Sequence, residues 1–254
     1  MAKSESSVRS VSRTFAILEV IQELDGASVS EIADRVDIGQ SAVYNYLTTL
    51  SREEYVDKVG DEYHLGLSFF GLGAHARNRT PIYDTAQPQV DELAEKTGHL
   101  VTLCIETDGV GTYLYQSRGE NGIDIDVHEG EPVPLHSTAL GKAILAFRPR
   151  EDVDAILDQH GLPASTAHTI TDREELYTEL EEIRDRQYAI SQEEWRNGLR
   201  SLAVPISDAH GRSIAAVGIA CPVYWNDDTT DFDDDLLQAV LGTANVIELE
   251  HNYA

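Results

Sequence analysis

The sequence predicts a mixed α+β protein, an N-terminal winged helix-turn-helix followed by a larger domain in which strands and helices alternate irregularly. Three observations carry this. The stretch VSEIADRVDIGQSAVYNYLTTL, Val29 to Leu50, reads as helix, three-residue turn and helix. Two short strand-like runs around Gly60-Asp61 follow it directly, and a hairpin in that position is the wing of a winged helix. From Leu100 onward apolar strand-like runs appear between helical stretches, with no parallel βαβ array and no glycine-rich phosphate loop.

In order along the chain, residues 1–7 are polar and read as disordered. Val8 to Leu24 is the first helix, with Val11, Phe15, Ile17, Leu18 and Ile21 on its apolar face and Asp25-Gly26 as its stop. Arg9 and Arg13 stand at its start, where they could reach a phosphate; the plainer alternative is two surface arginines. Ser28 and Glu31 form a capping box for the next helix, which turns Ile32, Ala33 and Val36 inward. Asp37-Ile38-Gly39 breaks it, with Gly39 free to take a positive φ. The following helix buries Val43, Leu47 and Leu50 at i, i+4 and i+7. Its other face carries Gln40, Ser41, Tyr44, Asn45, Thr48 and Arg52. That face is nearly uncharged but rich in hydrogen-bonding groups. A solvated helix face would carry Glu and Lys, whereas Asn, Gln, Ser and Thr match the donor–acceptor patterns of base edges in the major groove. A helical hairpin in a small bundle is the alternative reading. In the wing, Tyr55–Val59 and Glu62–Leu65, Lys58 and His64 are the expected backbone contacts.

Leu67 to Arg79 reads as a connecting helix stopped before Pro81, and Tyr83 to Thr97 as a second one, limited or bent by Pro88 and ended by Gly98. Two helices between domains suit a hinge that carries dimer contacts. The expected division is therefore 1–66, the winged helix-turn-helix; 67–98, helical linker; 99–254, the larger mixed domain. Leu100–Glu106 and Val110–Ser117 make a hairpin across Asp108-Gly109, and IDIDVH, Ile123 to His128, alternates like a half-buried strand. Ser137–Phe147 is a short helix capped by Ser137 or Thr138, and Arg150–Gln159 is another. Thr171 with Glu174 caps a long helix to about Gln187 with Leu176, Leu180 and Ile183 inward. Leu199–Ile206 and Ser213–Cys221 are apolar strands joined by Asp208-Ala209-His210-Gly211. After an acidic loop, Phe232–His251 is the last helix.

Charge is the oddest feature of the composition. The 254 residues hold 45 Asp and Glu against 19 Lys and Arg, for a net charge of −26. Residues 1–80 contribute only −4 of this and residues 81–254 contribute −22. Lys3, Lys58, Lys96 and Lys142 are the only lysines. Such a balance fits a cytosol of molar salt, as in a haloarchaeon. At low salt this charge would repel DNA. At about 1 M salt the field is screened within about 3 Å, and counterion release adds little to affinity. Binding then rests on short-range contacts and shape. No run of about 18 apolar residues is present, and MAKSESSVRS has no apolar h-region, so a cytoplasmic protein without membrane contact is expected. Cys104 and Cys221 sit in apolar runs and read as buried free thiols. The nine histidines are scattered, so neither a metal nor another cofactor is expected.

Three segments together carry a resemblance. SVSRTFAILEVI at the start, PLHSTALGKAILA (Pro134 to Ala146) and EEWRNGLRSLAVPISDAHGRSIAAVGIACP (Glu193 to Pro222) are similar to the opening and the two hallmark segments of IclR-family regulators, with the winged helix at the right distance. The resemblance spans roughly Val8 to Glu250. It implies a C-terminal effector domain of GAF/PAS type, an antiparallel sheet with helices on both sides. It also implies dimers, or pairs of dimers forming tetramers, on palindromic double-stranded operators, and a small organic ligand, often a carboxylate.

The helix opening at Ser137 would offer the free N–H groups of Thr138, Ala139, Leu140 and Gly141, and a positive dipole end, to a carboxylate. The resemblance places the facing wall at Ser191, Leu199, Ser201, Gly218 and Ala220. Relative to members that bind small keto acids, Ser191 replaces an acidic residue, Ser201 a thiol, and Gly218 and Ala220 two hydroxyls. A roomier, less charged wall points to a larger effector such as a sugar or sugar acid; alternatively, Gly218 and Ala220 are packed sheet positions. The leading expectation is thus a ligand-responsive transcription regulator of a catabolic pathway, in which ligand shifts the two winged helices of a homodimer. A sensor or interaction module without specific DNA binding is the second. An enzyme is disfavoured, because neither His136-Ser137 nor Glu193-Glu194 forms a nucleophile elbow.

Overall fold

The computed structural model describes residues 8–223 and 232–253, so the N-terminal tail and the acidic loop lie outside the described residues. The chain forms two compact units, residues 1–76 and 77–254.

In the first unit, helix α1 (Arg9–Glu23) leads into strand β1 (Ala27–Ser28), α2 (Val29–Val36), α3 (Gln40–Arg52), β2 (Val56–Val59) and β3 (Glu62–Leu65), with α4 (Ser68–Asn78) after them. The capping box forms: Ser28 Oγ accepts from the Glu31 N–H, and Glu31 Oε2 accepts from the Ser28 N–H at 2.9 Å. The core joins Ile17, Ile21, Ile32, Val43, Leu47, Val56 and Tyr63. Three expectations need correction. Val11 and Phe15 are 51% and 58% exposed, because α1 enters the core only from Ile17 onward. The left-handed residue of the turn is Asp37 (φ 51°), which closes α2, whereas Gly39 is extended (φ −63°) as the N-cap of α3. Asp tolerates that conformation better than most residues with a Cβ. The wing is also a three-stranded antiparallel sheet, β1-β3-β2, since Ala27 and Ser28 pair with Tyr63 and Glu62. A two-residue strand carries no periodicity to read.

The second unit contains α5 (Ile82–Thr97), β4 (Leu100–Thr107), β5 (Val110–Arg118), β6 (Pro132–Val133), α6 (Ala139–Ala146), α7 (Arg150–His160), α8 (Arg173–Arg186), β7 (Ala189–Gln192), β8 (Leu199–Ser207), β9 (Ser213–Pro222) and α9 (Asp234–Tyr253). The sheet order is β6-β5-β4-β9-β8-β7, and every pairing is antiparallel. Helices α5 and α9 cover one face through Val90, Leu93, Val240 and Ile247. The other face receives α6, α7 and α8, which pack Ile144, Leu157 and Leu180 around Ala203 and Ala216. Helix α5 runs through Pro88 without a break, and Gly98 ends it with φ 74°. The segment Ile123–His128 is not a strand. Its alternation is real, with Ile125 and Val127 packed on the core, but no neighbour supplies a ladder. Helix α8 is capped by Asp172 and not by Thr171: its carboxylate accepts the Glu174 and Glu175 N–H groups at 3.0 Å.

Candidate functional site

Each unit holds a candidate site. In the first, α3 buries Val43 and Leu47 and leaves Gln40, Ser41, Tyr44, Asn45, Thr48 and Arg52 exposed. Two hydroxyls on this helix turn back on the backbone: Thr48 Oγ1 donates to the Tyr44 carbonyl (2.7 Å) and Thr49 Oγ1 to that of Asn45 (3.0 Å). The Arg52 guanidinium pairs with Glu53 at 2.8 Å. Asn45 and Gln40 therefore keep the freest bidentate groups of this face. Arg9 opens α1 and is exposed, and Arg13 one turn later is half-buried. On the wing, the Lys58 ammonium lies 5.5 Å from the Tyr63 ring centre. His64 is occupied in packing: its ring lies where a Cβ on Gly26 would fall.

In the second unit, a cavity opens between the start of α6 and the sheet. Eight of the nine residues expected there line it: Thr138, Ala139, Leu140, Ser191, Leu199, Ser201, Gly218 and Ala220. The antiparallel register makes its floor, setting Thr102 opposite Gly218 and Ser201 opposite Ala220. Gly141 does not line it. A Cβ there would lie 2.3 Å from the Leu135 carbonyl oxygen, so this glycine lets α6 pack onto the preceding segment. Gly218 has both properties: it faces the cavity, yet a Cβ would meet the Leu202 carbonyl at 2.4 Å.

Hydrogen bonding decides what this wall can offer. Thr138 caps α6 by accepting the Gly141 N–H at 3.1 Å and donates its own proton to the Pro134 carbonyl. Of the helix-start N–H groups, those of Ala139 and Leu140 remain without an intrahelical acceptor. Ser191 Oγ donates to the Ser137 carbonyl at 3.0 Å. Both hydroxyls therefore face a ligand as acceptors, whereas Thr102 Oγ1 already accepts from Gln116 (3.2 Å) and keeps its proton to donate.

Sequence reasoning missed Thr102, Tyr113, Ile125, Trp195, Arg196 and Ile219, which also line the cavity. Tyr113 and Trp195 meet edge-on at 6.3 Å, and burial raises the Tyr113 phenol above its ordinary value. These side chains fill the space left by the small floor residues: the volume open to the centre of a water molecule is about 30 Å³, room for roughly two waters. Trp195-Arg196 follows the acidic pair of the second hallmark, a signal available in the sequence.

Elsewhere, His136 Nε2 lies 3.1 Å from the Pro163 carbonyl and burial lowers its pKa, while Ser137 Oγ has no hydrogen-bond partner among the described residues, so the two do not form a nucleophile–base pair. Burial pushes the Cys104 thiol up to about 12. Among the described residues no cluster of three or more His, Cys, Asp or Glu could hold a metal, and no helix is long and apolar enough to cross a membrane.

Comparison with known proteins covers both units. The family model described as IclR helix-turn-helix domain matches residues 10–60, and that described as Bacterial transcriptional regulator IclR C-terminal matches residues 74–249. The HTH-type transcriptional regulator KdgR of Dickeya chrysanthemi is 35% identical over 223 residues, 87% of this chain and 73% of the relative. The probable HTH-type transcriptional regulator ArcR of Halobacterium salinarum is 30% identical over 246 residues, 95% of this chain and 93% of its own. The crystal structure of the Thermotoga maritima IclR matches with a TM-score of 0.79 at 30% identity, covering 97% of this chain and 100% of that one.

Proposed function

The chain belongs to the IclR family of transcriptional regulators, and from that membership we propose that a small molecule bound in the α6 cavity controls how α3 engages an operator. It is a ligand-responsive, DNA-binding regulator of a catabolic pathway. The observation that carries the assignment of sites is the pairing, in one chain, of an exposed, nearly uncharged polar face on α3 with a cavity walled by both hallmark segments.

In this reading the protein is a homodimer whose two winged helices meet successive half-sites of a palindrome, and the helices of residues 67–98 carry the dimer contacts. Asn45 and Gln40 read adenines, Tyr44, Thr48 and Ser41 make the accompanying base or phosphate contacts, and Arg9, Arg13, Arg52 and Lys58 hold the backbone. The effector is an organic acid or sugar-derived metabolite. Its binding to one arrangement of the dimer in preference to the other changes operator affinity by the same coupling, typically about 1–3 kcal/mol. The acidity of the chain assigns this binding to a molar-salt cytosol, where short-range contacts carry it.

The test is binding of the purified protein to its own upstream DNA in about 2 M KCl, a concentration at which counterion release is suppressed. Specific binding by the wild type that weakens in Asn45→Ala supports the regulator and its reading helix. No specific binding at any salt, by protein shown to be folded, would instead favour a sensor or interaction module.

A further inference from the structure

The α6 cavity contains one formally charged side chain. Its lining is aliphatic, aromatic, hydroxylic or glycine, except for Arg196. It lies in an acidic unit in which six of the ten other arginines meet a carboxylate closely. Arg77, Arg118, Arg148, Arg173, Arg186 and Arg212 each reach a carboxylate within 3.0 Å. Arg196 makes no ion pair among the described residues. One guanidinium nitrogen donates to the Asp126 backbone carbonyl at 3.0 Å, and its guanidinium carbon lies 4.5 Å from the Trp195 ring centre. A cation with no carboxylate partner among the described residues, at the wall of a ligand cavity, is placed for an anion that arrives with the ligand.

We propose that Arg196 anchors the carboxylate of the effector, and that the effector is a hydroxy acid and not a neutral sugar. The inference rests on the assignment of the α6 cavity as the effector site. The rest of the wall fits such a molecule. Thr138 and Ser191, whose protons are committed to backbone carbonyls, accept from ligand hydroxyls. Thr102 donates to a ligand oxygen.

The same geometry supplies an entry step. Only about 30 Å³ of the cavity is open to the centre of a water molecule, so a hydroxy acid as large as gluconate enters only when a wall yields. The Arg196–Asp126 bond ties one wall to the segment Ile123–His128, which no strand pairing holds. A carboxylate makes a shorter and roughly twice stronger bond to a guanidinium than a neutral carbonyl does. The ligand therefore takes Arg196 from Asp126 and releases that segment while keeping Arg196 for itself.

The experiment uses the full chain carrying Trp225→Phe, which leaves Trp195 as the only tryptophan. Its fluorescence is titrated with two matched pairs, glycolate against glycolamide and D-gluconate against D-gluconamide, at constant ionic strength. Expected is saturation by an acid with at least about tenfold preference over its amide, the discrimination one well-placed charge contact gives. Arg196→Gln removes that preference by weakening acid binding and leaving amide binding unchanged, while Arg196→Lys retains part of it. Hydrogen exchange of residues 123–128 rises on acid binding in the wild type only. Equal binding of acid and amide, equal losses for both in Arg196→Gln, or no acid response up to about 100 mM, far weaker than any useful effector affinity, overturns the proposal. Operator binding by the unliganded protein is measured alongside. If it persists while the acid preference fails, the regulator stands and only the role of Arg196 falls.

Discussion

Lys142 Nζ lies 2.6 Å from Glu194 Oε1, and the lysine side chain is 1% exposed. One of only four lysines in the chain is thus buried inside the second unit. It ties α6, which starts the cavity, to the segment that carries Trp195 and Arg196. Glu179 on α8 accepts from the same ammonium at 3.1 Å and from Arg186 at 2.9 Å, which closes the network. Removing one partner of a buried pair leaves the other charged and uncompensated, at a cost of about 3–5 kcal/mol. Lys142→Met is expected to lower unfolding stability by that order in guanidinium titration. The double variant with Glu194→Gln should lose less than the sum of the single losses, because the two residues share one interaction.

A second expectation concerns pH. His136 is held neutral by burial, with its pKa below 6.5, and Nε2 donates to the Pro163 carbonyl. When the folded value is depressed, the unfolded chain takes up the proton first. The stability contributed by the neutral ring is therefore complete above about pH 6.5 and is lost as pH falls through the folded value. Denaturation midpoints of the wild type should fall between pH 7.5 and 5.5 more steeply than those of His136→Gln, which cannot titrate. Parallel curves would mean that His136 takes no part in the acid sensitivity.

Two glycines give opposite signs. At Gly141, an added methyl would sit within 2.4 Å of the Leu135 backbone, which has no freedom to move aside. Overpacking of this kind costs about 1–3 kcal/mol or more, so Gly141→Ala should destabilise by at least that and shift α6 away from the cavity. Gly242, exposed on α9, has nothing within 4 Å of the same added atom. There the helix gains and the unfolded chain loses freedom, so Gly242→Ala should stabilise by about 0.5–1 kcal/mol. Thermal unfolding of the two variants side by side reads both signs.

Local chemistry was legible in the sequence, and long-range pairing was not. The Ser28–Glu31 capping box, the Thr138 cap and the Asp108-Gly109 turn depend on residues within a few positions of one another. Ile123–His128 misled because alternation reports which side of a segment is buried, while a strand needs a neighbour with free N–H and C=O groups. Phe15 misled for a related reason: an amphipathic stripe states what a helix face could bury, not where the core ends. The cavity floor was reachable through the hallmark segments. Its filled part was reachable only at Trp195, inside the second hallmark, because Tyr113 and Ile125 enter from separate stretches to fill the space that Gly218 and Ala220 leave.

The exposed polar face of α3, proposed above to read the operator, divides along its hydrogen bonds. Thr48 presents the same polar character in sequence as Asn45, yet its proton is already committed to the Tyr44 carbonyl at 2.7 Å. What remains to DNA is a methyl group and a weak acceptor. Thr48→Val preserves the methyl and the shape, so operator affinity should stay within about threefold of wild type, less than the loss of a single hydrogen bond to a base. Asn45 keeps both its amide donor and its carbonyl for a bidentate contact, and Asn45→Ala should cost about 1–3 kcal/mol against the operator. The same change should leave binding to scrambled DNA almost unaltered, since backbone contacts carry no sequence information. Competition titrations with both duplexes in about 2 M KCl, where counterion release is suppressed, separate these effects. A larger loss for Thr48→Val than for Asn45→Ala would show that the α3 backbone bond opens on DNA and that Thr48, not Asn45, reads the base.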